Sequence, residues 1–155
     1  MVITIKEEGK RFGARVGAII YNEEQTKILL EKQSENRYMF PGGRIDLYED
    51  SQTAIQRELQ EELNITPSFH LRYIVELFLK FPKTKYHEIG FYFIMSIPEK
   101  EIADGFRSLD GDSSYFWIPV DELASYPVLE HPIKEKAIQG AVLQHSNLEH
   151  LIARD

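Results

Sequence analysis

Short apolar runs separated by polar turns dominate much of this chain and predict β-strands. Residues 13–21 form a β-rich run that leads into the polar turn 22–25, and residues 27–31 form the next apolar run, so this part predicts a hairpin. Two longer apolar runs at residues 69–81 and 88–97 each predict a further strand.

The pattern becomes helical between these two groups of strands. Ile55, Leu59 and Leu63 recur every four residues and form one apolar stripe, which predicts an amphipathic helix. Asp50 is suited to cap its start, because a short acidic side chain accepts hydrogen bonds from the first turn. Asn64 is suited to the left-handed position after the last turn, since asparagine tolerates positive φ. We therefore expect the helix to end near Leu63.

The remaining segments predict shorter elements. A weak alternation at residues 2–5 and the apolar run 114–118 predict strands. A short helix is expected around residues 122–124, and Pro132 suits the first turn of a helix that runs to about residue 140.

Two segments are less regular. Residues 99–113 contain turn signals and are expected to form a loop, whereas residues 148–153 fit either a strand or a helix. No repeat, low-complexity tract or linker interrupts the pattern. The 155 residues therefore predict a single domain, residues 1–155, of the α/β class with a mixed sheet.

Composition and charge narrow the class of protein. Hydrophobic residues make up 43% of the chain and charged residues 28%, as in ordinary globular proteins. A net charge of −7 argues against broad non-specific binding to nucleic acid. The absence of cysteine excludes disulfides, zinc–thiolate sites and a cysteine nucleophile, and it is compatible with the cytoplasmic location that we expect. No signal peptide or membrane-spanning segment is predicted.

Three glutamates carry the strongest chemical signal. Glu58, Glu61 and Glu62 stand at i, i+3 and i+4 and therefore share one face of the predicted helix. Such a face suits a hard divalent cation, which prefers carboxylate oxygen and can hold phosphates. Arg57 precedes Glu61 by four residues and can pair with it. The alternative is a solvated acidic face, although like charges at this spacing cost about 0.2–0.5 kcal/mol per pair.

The surroundings of this helix resemble the signature of the Nudix hydrolase family, which includes MutT-like proteins. The signature is G-x5-E-x7-R-E-U-x-E-E-x-G-U, where U is aliphatic, and its matching positions here are Gly43, Glu49, Arg57, Glu58, Leu59, Glu61, Glu62 and Ile65. Asn64 stands where the signature has a glycine, a departure that asparagine tolerates well. Tyr48 stands where many members have a glycine before the glutamate.

The resemblance implies a fold and a reaction. The fold is the Nudix-type α/β/α sandwich with a mixed β-sheet, in which residues 148–153 form a strand. The reaction is hydrolysis of a nucleoside diphosphate linked to another moiety X, with Mg²⁺ or Mn²⁺ as cofactor and a small nucleotide-type substrate. A homodimer is compatible with the resemblance.

The resemblance also implies roles for individual residues. Four metal ligands are implied, namely the side chains of Glu58, Glu61 and Glu62 and the carbonyl of Gly42. Glu49 and Arg57 would hold these ligands in place. The general base would be one of the helix glutamates or a carboxylate outside the helix. Glu88 is the outside candidate, because it begins a predicted strand after a loop; the alternative is a surface charge on an edge strand.

Other side chains are candidates for substrate contacts. Arg15 and Arg44 are candidates to bind substrate phosphates, with a surface role as the alternative. Four aromatic residues are candidates to stack on a base or sugar, with core packing as the alternative: Phe78, Phe81, Tyr86 and Tyr92.

Two functions from different classes fit the sequence. The first is a pyrophosphohydrolase, and the second is a non-catalytic nucleotide-binding regulator that keeps the fold. The intact set of carboxylates favours catalysis, because a protein that only binds nucleotides has little need of them. Removal of RNA caps is not supported, because no basic stretch is present to hold an RNA chain, and long nucleic acid is not expected as a partner.

Overall fold

A computed structural model describes residues 4–109, 111, 113–144 and 147–155. The strands in these residues are β1 (Thr4–Glu7), β2 (Lys10–Tyr21), β3 (Lys27–Ser34), β4 (Arg37–Met39), β5 (Gly42–Arg44), β6 (His70–Lys80), β7 (Lys85–Ser96), β8 (Phe106–Arg107), β9 (Ser114–Pro119) and β10 (Glu149–Arg154). The expected strand at residues 2–5 lies partly outside the described residues. The C-terminal segment is a strand, as the resemblance implied.

The helices are α1 (Ser51–Leu63), α2 (His131–Ile138) and α3 (Ala141–Gln144), with 3₁₀ turns at Glu99–Glu101 and Val120–Ser125. The loop expected at residues 99–113 is interrupted by β8, which pairs with β9. Its turn signals at positions 110 and 112 lie outside the described residues. Among the helices described, none has the length and apolar character needed to cross a membrane.

The strands form one mixed sheet. Its order is β10-β6-β7-β2-β3-β9-β8, and the short strands β1, β4 and β5 pair at its sides. β7 runs parallel to β2, and β10 runs parallel to β6, whereas the other neighbouring strands in this order are antiparallel. The mixed sheet predicted from the sequence is therefore confirmed.

Alternate residues of β2 pack on opposite faces of the sheet, and each face carries its own core. Val16, Ala18 and Ile20 pack with the apolar stripe of α1. Ile19 and Tyr21 belong to a second core that includes residues of α2. Because side chains alternate along a strand, a single strand contributes to both layers, which gives the expected α/β/α sandwich.

Both ends of α1 are capped as the sequence predicts. The side chain of Asp50 accepts a hydrogen bond from the backbone N–H of Thr53 at 2.8 Å. Asn64 adopts a left-handed conformation, with φ 54° and ψ 45°, and its N–H donates to the carbonyl of Gln60. These caps fix where the helix begins and ends.

A buried arginine ties the C-terminal segment to the sheet. The guanidinium of Arg72 on β6 is fully buried and donates to the carbonyls of Ala141 (2.9 Å), Val142 (3.2 Å) and Asn147 (2.7 Å). It also pairs with Glu149 on β10 at 3.1 Å. A guanidinium that is removed from water needs partners for its N–H groups, so these contacts hold α3 and β10 against β6.

Candidate active site

Arg57 is the centre of an ion-pair network on α1. Its guanidinium donates to both carboxylate oxygens of Glu49, at 2.7 and 2.9 Å. It also donates to Glu58 at 2.9 Å and to Glu61 at 3.4 Å. The pair between Arg57 and Glu61 that the four-residue spacing predicts is therefore present. The hydrogen bonds from Arg57 lower the pKa of Glu49 to about 2, so Glu49 stays ionised and its ion pair with Arg57 persists.

Glu58 is the buried member of the network and lies against β5. An added methyl group at Gly43 would lie only 2.3–2.5 Å from the atoms of the Glu58 carboxylate, so the missing side chain at this position leaves room for that group. Arg57 also donates to the carbonyl of Arg44 at 3.1 Å, which binds α1 to the same strand. Burial raises the pKa of Glu58, and the neighbouring charge of Glu61 acts in the same direction.

Glu62 is held by a tyrosine that sequence reasoning did not identify. The hydroxyl of Tyr115 on β9 lies 2.8 Å from a carboxylate oxygen of Glu62 and 3.1 Å from one of Glu31. A hydroxyl has a single proton, so it donates to one of these carboxylates at a time. Glu31 is buried and lies directly across from Tyr115 in the β3–β9 pairing. The sequence signal that could have revealed this contact is the acidic residue Glu31 at the end of the apolar run 27–31.

The three helix glutamates offer only oxygen donors, which suits a hard divalent cation. The charge of Glu61 acts on Glu58, and Glu62 lies on the same helical face, four residues after Glu58. Across the described ranges, no three acidic or histidine side chains already form a metal-holding group. Instead, Arg57 donates a hydrogen bond to Glu58 and Tyr115 forms one with Glu62. Glu61 is the exposed member of the three, since 49% of its side chain is accessible to solvent.

A cleft of about 420 Å³ lies on the other side of β5. Its lining includes four arginines, two aromatic residues and one acid, namely Arg11, Arg15, Arg37, Arg44, Phe81, Tyr86 and Glu88. The guanidinium of Arg44 lies 5.1 Å from the ring centre of Tyr86, and the Tyr86 hydroxyl donates to Glu88 at 3.0 Å. The cleft thus combines positive charge with an aromatic surface.

Arg44 connects this cleft to the carboxylates of α1. Its side chain lines the cleft, whereas its carbonyl accepts a hydrogen bond from Arg57. Its neighbour Gly43 pairs with Val16 and contacts Glu58. Successive residues of a strand face opposite sides, so β5 separates the cleft from the carboxylates by the thickness of one strand. The structure therefore divides the predicted site residues into two adjoining groups.

The structure also gives the position and burial of several other predicted residues. Glu88 lies on β7, which is an interior strand, and it is buried, so a surface charge on an edge strand is excluded. Arg15 is buried rather than superficial, and it lies opposite Arg44 in the sheet. Tyr92 is buried in the core and does not line the cleft. Gly42 lies in β5 beside Gly43 and faces Gly17 of β2.

A buried carboxyl group lies beneath the cleft and was not identified from the sequence. Glu130 accepts hydrogen bonds from the hydroxyl of Tyr92 at 3.1 Å and from the N–H of Phe40 at 3.3 Å. Burial raises the pKa of Glu130 to about 7, although the positive charge of Arg15 opposes the shift and Glu88 adds to it. This carboxyl therefore changes its charge near neutral pH.

We expect this titration to affect stability. Because the pKa of Glu130 is raised on folding from about 4.5 to about 7, its contribution to stability is present below pH 4.5 and is lost as the pH rises through 7. Relative to Glu130→Gln, the wild type should lose up to about 3 kcal/mol of unfolding free energy between these limits. Urea unfolding at a series of pH values measures this difference.

The matched control is Glu135→Gln, which removes an exposed glutamate from α2, the helix that follows Glu130. Its unfolding free energy should follow the pH dependence of the wild type. Parallel curves for the wild type and Glu130→Gln would show that Glu130 does not titrate differently in the folded and unfolded states.

Comparisons with known proteins bear on the family and the fold. The NUDIX domain model matches residues 11–140. The chain is 36% identical over 77 residues to 8-oxo-dGTP diphosphatase of Escherichia coli, which covers 47% of this chain and 58% of that protein. It is 36% identical over 69 residues to the U8 snoRNA-decapping enzyme of Homalodisca vitripennis, and this match covers 44% of this chain and 33% of that protein. These matches span little more than half, and about a third, of the lengths of the two curated relatives.

Solved structures share the fold. The MutT protein of Bacillus halodurans is 19% identical with a TM-score of 0.66, and the match covers 92% of this chain and 90% of that one. The dihydroneopterin triphosphate pyrophosphohydrolase of E. coli is 15% identical with a TM-score of 0.64, and the match covers 85% and 96%. Because the domain model extends over most of the sequence and the fold agrees, this chain belongs to the Nudix family.

Proposed function

We propose that the protein is a divalent-metal-dependent hydrolase of diphosphate linkages in nucleotide-type compounds. The observation that supports this most directly is that β5 lies between two groups of predicted site residues and contacts both. The acidic face of α1 lies on one side of this strand, and the basic, aromatic cleft lies on the other. Such a site can hold the base and outer phosphates in the cleft while the reacting phosphate reaches the carboxylates.

The proposed cofactor is Mg²⁺ or Mn²⁺. When bound, such an ion neutralises phosphate oxygens and lowers the pKa of a water molecule. Glu58, Glu61 and Glu62 would hold it. Arg57 fixes the orientation of Glu58 and Glu61 and is itself fixed by Glu49, which keeps the ligands in place without a large entropic cost.

We assign proton removal from the attacking water to Glu61. Of the two α1 carboxylates that Arg57 contacts, Glu61 has the longer contact, at 3.4 Å, and about half of its side chain is exposed. Glu58 is buried beside Gly43 and is better suited to hold a fixed position. Glu88 lies in the cleft, where it accepts a hydrogen bond from Tyr86, so we assign it to contact with substrate.

The cleft supports a nucleotide as substrate. Arg15 and Arg44 supply positive charge for phosphates, and Tyr86 and Phe81 supply aromatic surface for a base. The two curated relatives are named for action on 8-oxo-dGTP and on the cap of U8 snoRNA, and both are nucleotide compounds. Nucleoside triphosphates, sugar nucleotides and ADP-ribose-like compounds are the leading substrate classes for this chain.

Phosphate release from a panel of these nucleotides, with and without Mg²⁺, tests the proposal. We expect release from at least one substrate class, dependent on the metal ion and abolished by a chelator. Product analysis then identifies the bond that is cleaved. No release on a broad panel, together with tight nucleotide binding without metal, would instead indicate the non-catalytic regulator.

A further inference from the structure

A second space of about 410 Å³ lies at one end of the sheet, and we call it the basic groove. The residues of the groove that carry the argument are Lys10, Lys80, Lys85, Arg154, Phe78 and His87. His87 alternates along β7 with Tyr86 and Glu88, which line the cleft. Because successive side chains of a strand face opposite sides, the basic groove opens on the face away from the cleft.

Three lysines of the basic groove stand next to one another on neighbouring strands. Lys85 of β7 lies directly opposite Lys10 of β2 and also opposite Lys80 of β6. Like charges in such positions destabilise a sheet. Within the described residues, none of these lysines forms an ion pair. The arrangement therefore favours an anion that would relieve their repulsion.

Neither nearby acids nor protection of a sheet edge accounts for these lysines. Asp155 lines the groove, but its carboxylate accepts from the backbone N–H of Lys80 at 2.9 Å. Glu7 lies opposite Lys10 at the outer side of the row. Lysines often protect exposed sheet edges, but β6, β7 and β2 are interior strands in the sheet order. Positive charge thus exceeds negative charge in the groove.

An aromatic row beside the lysines gives the basic groove a fixed floor. His87 stacks on Phe78 with ring centres 4.2 Å apart, and Phe12 meets His87 edge-on at 4.8 Å. The guanidinium of Arg154 lies 4.0 Å from the centre of the Phe78 ring. This contact orients a fourth cation next to the lysine row before any ligand arrives, which reduces the entropic cost of binding.

We propose that the basic groove is a second anion site, which binds a chain of linked phosphate groups on the face opposite the cleft. Lysines on adjacent strands, whose backbones lie about 4.8 Å apart, form a row that matches an extended anion better than a single phosphate. Free oligophosphate and the backbone of single-stranded nucleic acid share this chemistry. Arg11 and Tyr86 line both spaces, so one wall separates the groove from the cleft.

The test is calorimetric titration of the whole chain with tripolyphosphate and with a 5′-phosphorylated single-stranded hexanucleotide. A chelator removes divalent metal, so binding is measured independently of hydrolysis. The groove variant is Lys80→Gln with Lys85→Gln, since both side chains are exposed. The charge-matched control is Lys32→Gln with Lys100→Gln, and the cleft variant is Arg44→Gln.

We expect at least one of the two anions to bind the wild type and to weaken as salt is added. Its affinity should fall at least about tenfold in the groove variant and stay close to wild type in the control, and Arg44→Gln, which removes a cation of the cleft, should keep the binding step that the groove variant loses. The anion that binds identifies the source of the phosphates. Absence of binding by both anions, unchanged affinity in the groove variant, or loss in Arg44→Gln instead would overturn the proposal. Because binding is measured without divalent metal, a lack of nucleotide hydrolysis in the substrate panel would not change the outcome of this test.

Discussion

Replacing Glu61 with glutamine is expected to lower turnover at least about a hundredfold while the fold persists. Glutamine keeps the size of the side chain, but it loses the negative charge and cannot accept the proton of an attacking water. The helix should tolerate the change, because glutamine and glutamate have similar helix propensities and about half of the Glu61 side chain is exposed. Steady-state kinetics on the substrate found in the panel, with thermal unfolding alongside, measures both effects.

Glu122→Gln is the control for this variant, because it removes one exposed glutamate outside the carboxylate network. Its turnover should match that of the wild type. If Glu61→Gln also turned over at the wild-type rate, the assignment of the acidic face of α1 to metal binding and proton removal would be wrong.

Replacing Gly43 with alanine is expected to lower turnover about tenfold to a hundredfold and to weaken Mn²⁺ binding similarly. The added methyl group would lie 2.3–2.5 Å from the Glu58 carboxylate and must push it aside. The displaced group is the end of a flexible side chain, so the fold should survive. Mn²⁺ titration followed by electron paramagnetic resonance measures metal affinity apart from turnover.

Gly42→Ala is the contrasting variant at the adjacent position. There the methyl group would lie 2.0 Å from the backbone carbonyl oxygen of Val16, which cannot rotate away. We expect this variant to lose stability, whereas Gly43→Ala should unfold near the wild-type temperature. Unaltered Mn²⁺ affinity in folded Gly43→Ala would mean that the position of Glu58 does not matter for the metal.

The helix and its chemistry could be predicted because their determinants are local. Asp50 and Asn64 cap α1 through bonds to residues at most four positions away. The pairing of Arg57 with Glu61 likewise follows from one turn of helix. Interactions of this kind depend only on spacing along the chain, which a sequence displays directly.

The parts that escaped prediction depend on contacts between distant segments. Tyr115 reaches Glu62 across 53 positions of the chain, and Glu130 reaches Phe40 across 90. The basic groove is the clearest case. No basic stretch exists in the sequence, because the cations of the groove come from four separate strands and meet only through sheet pairing. Register between strands is a property of the folded sheet, and composition does not reveal it.

Arg72 has a practical consequence for anyone who wishes to shorten this protein. Trimming the chain from Ala141 onward would remove all the guanidinium acceptors found among the described residues and would uncover the edge of β6 that pairs with β10. We therefore expect truncation of the last fifteen or so residues to destabilise the sheet, so a shortened form of the protein should keep its C-terminal segment.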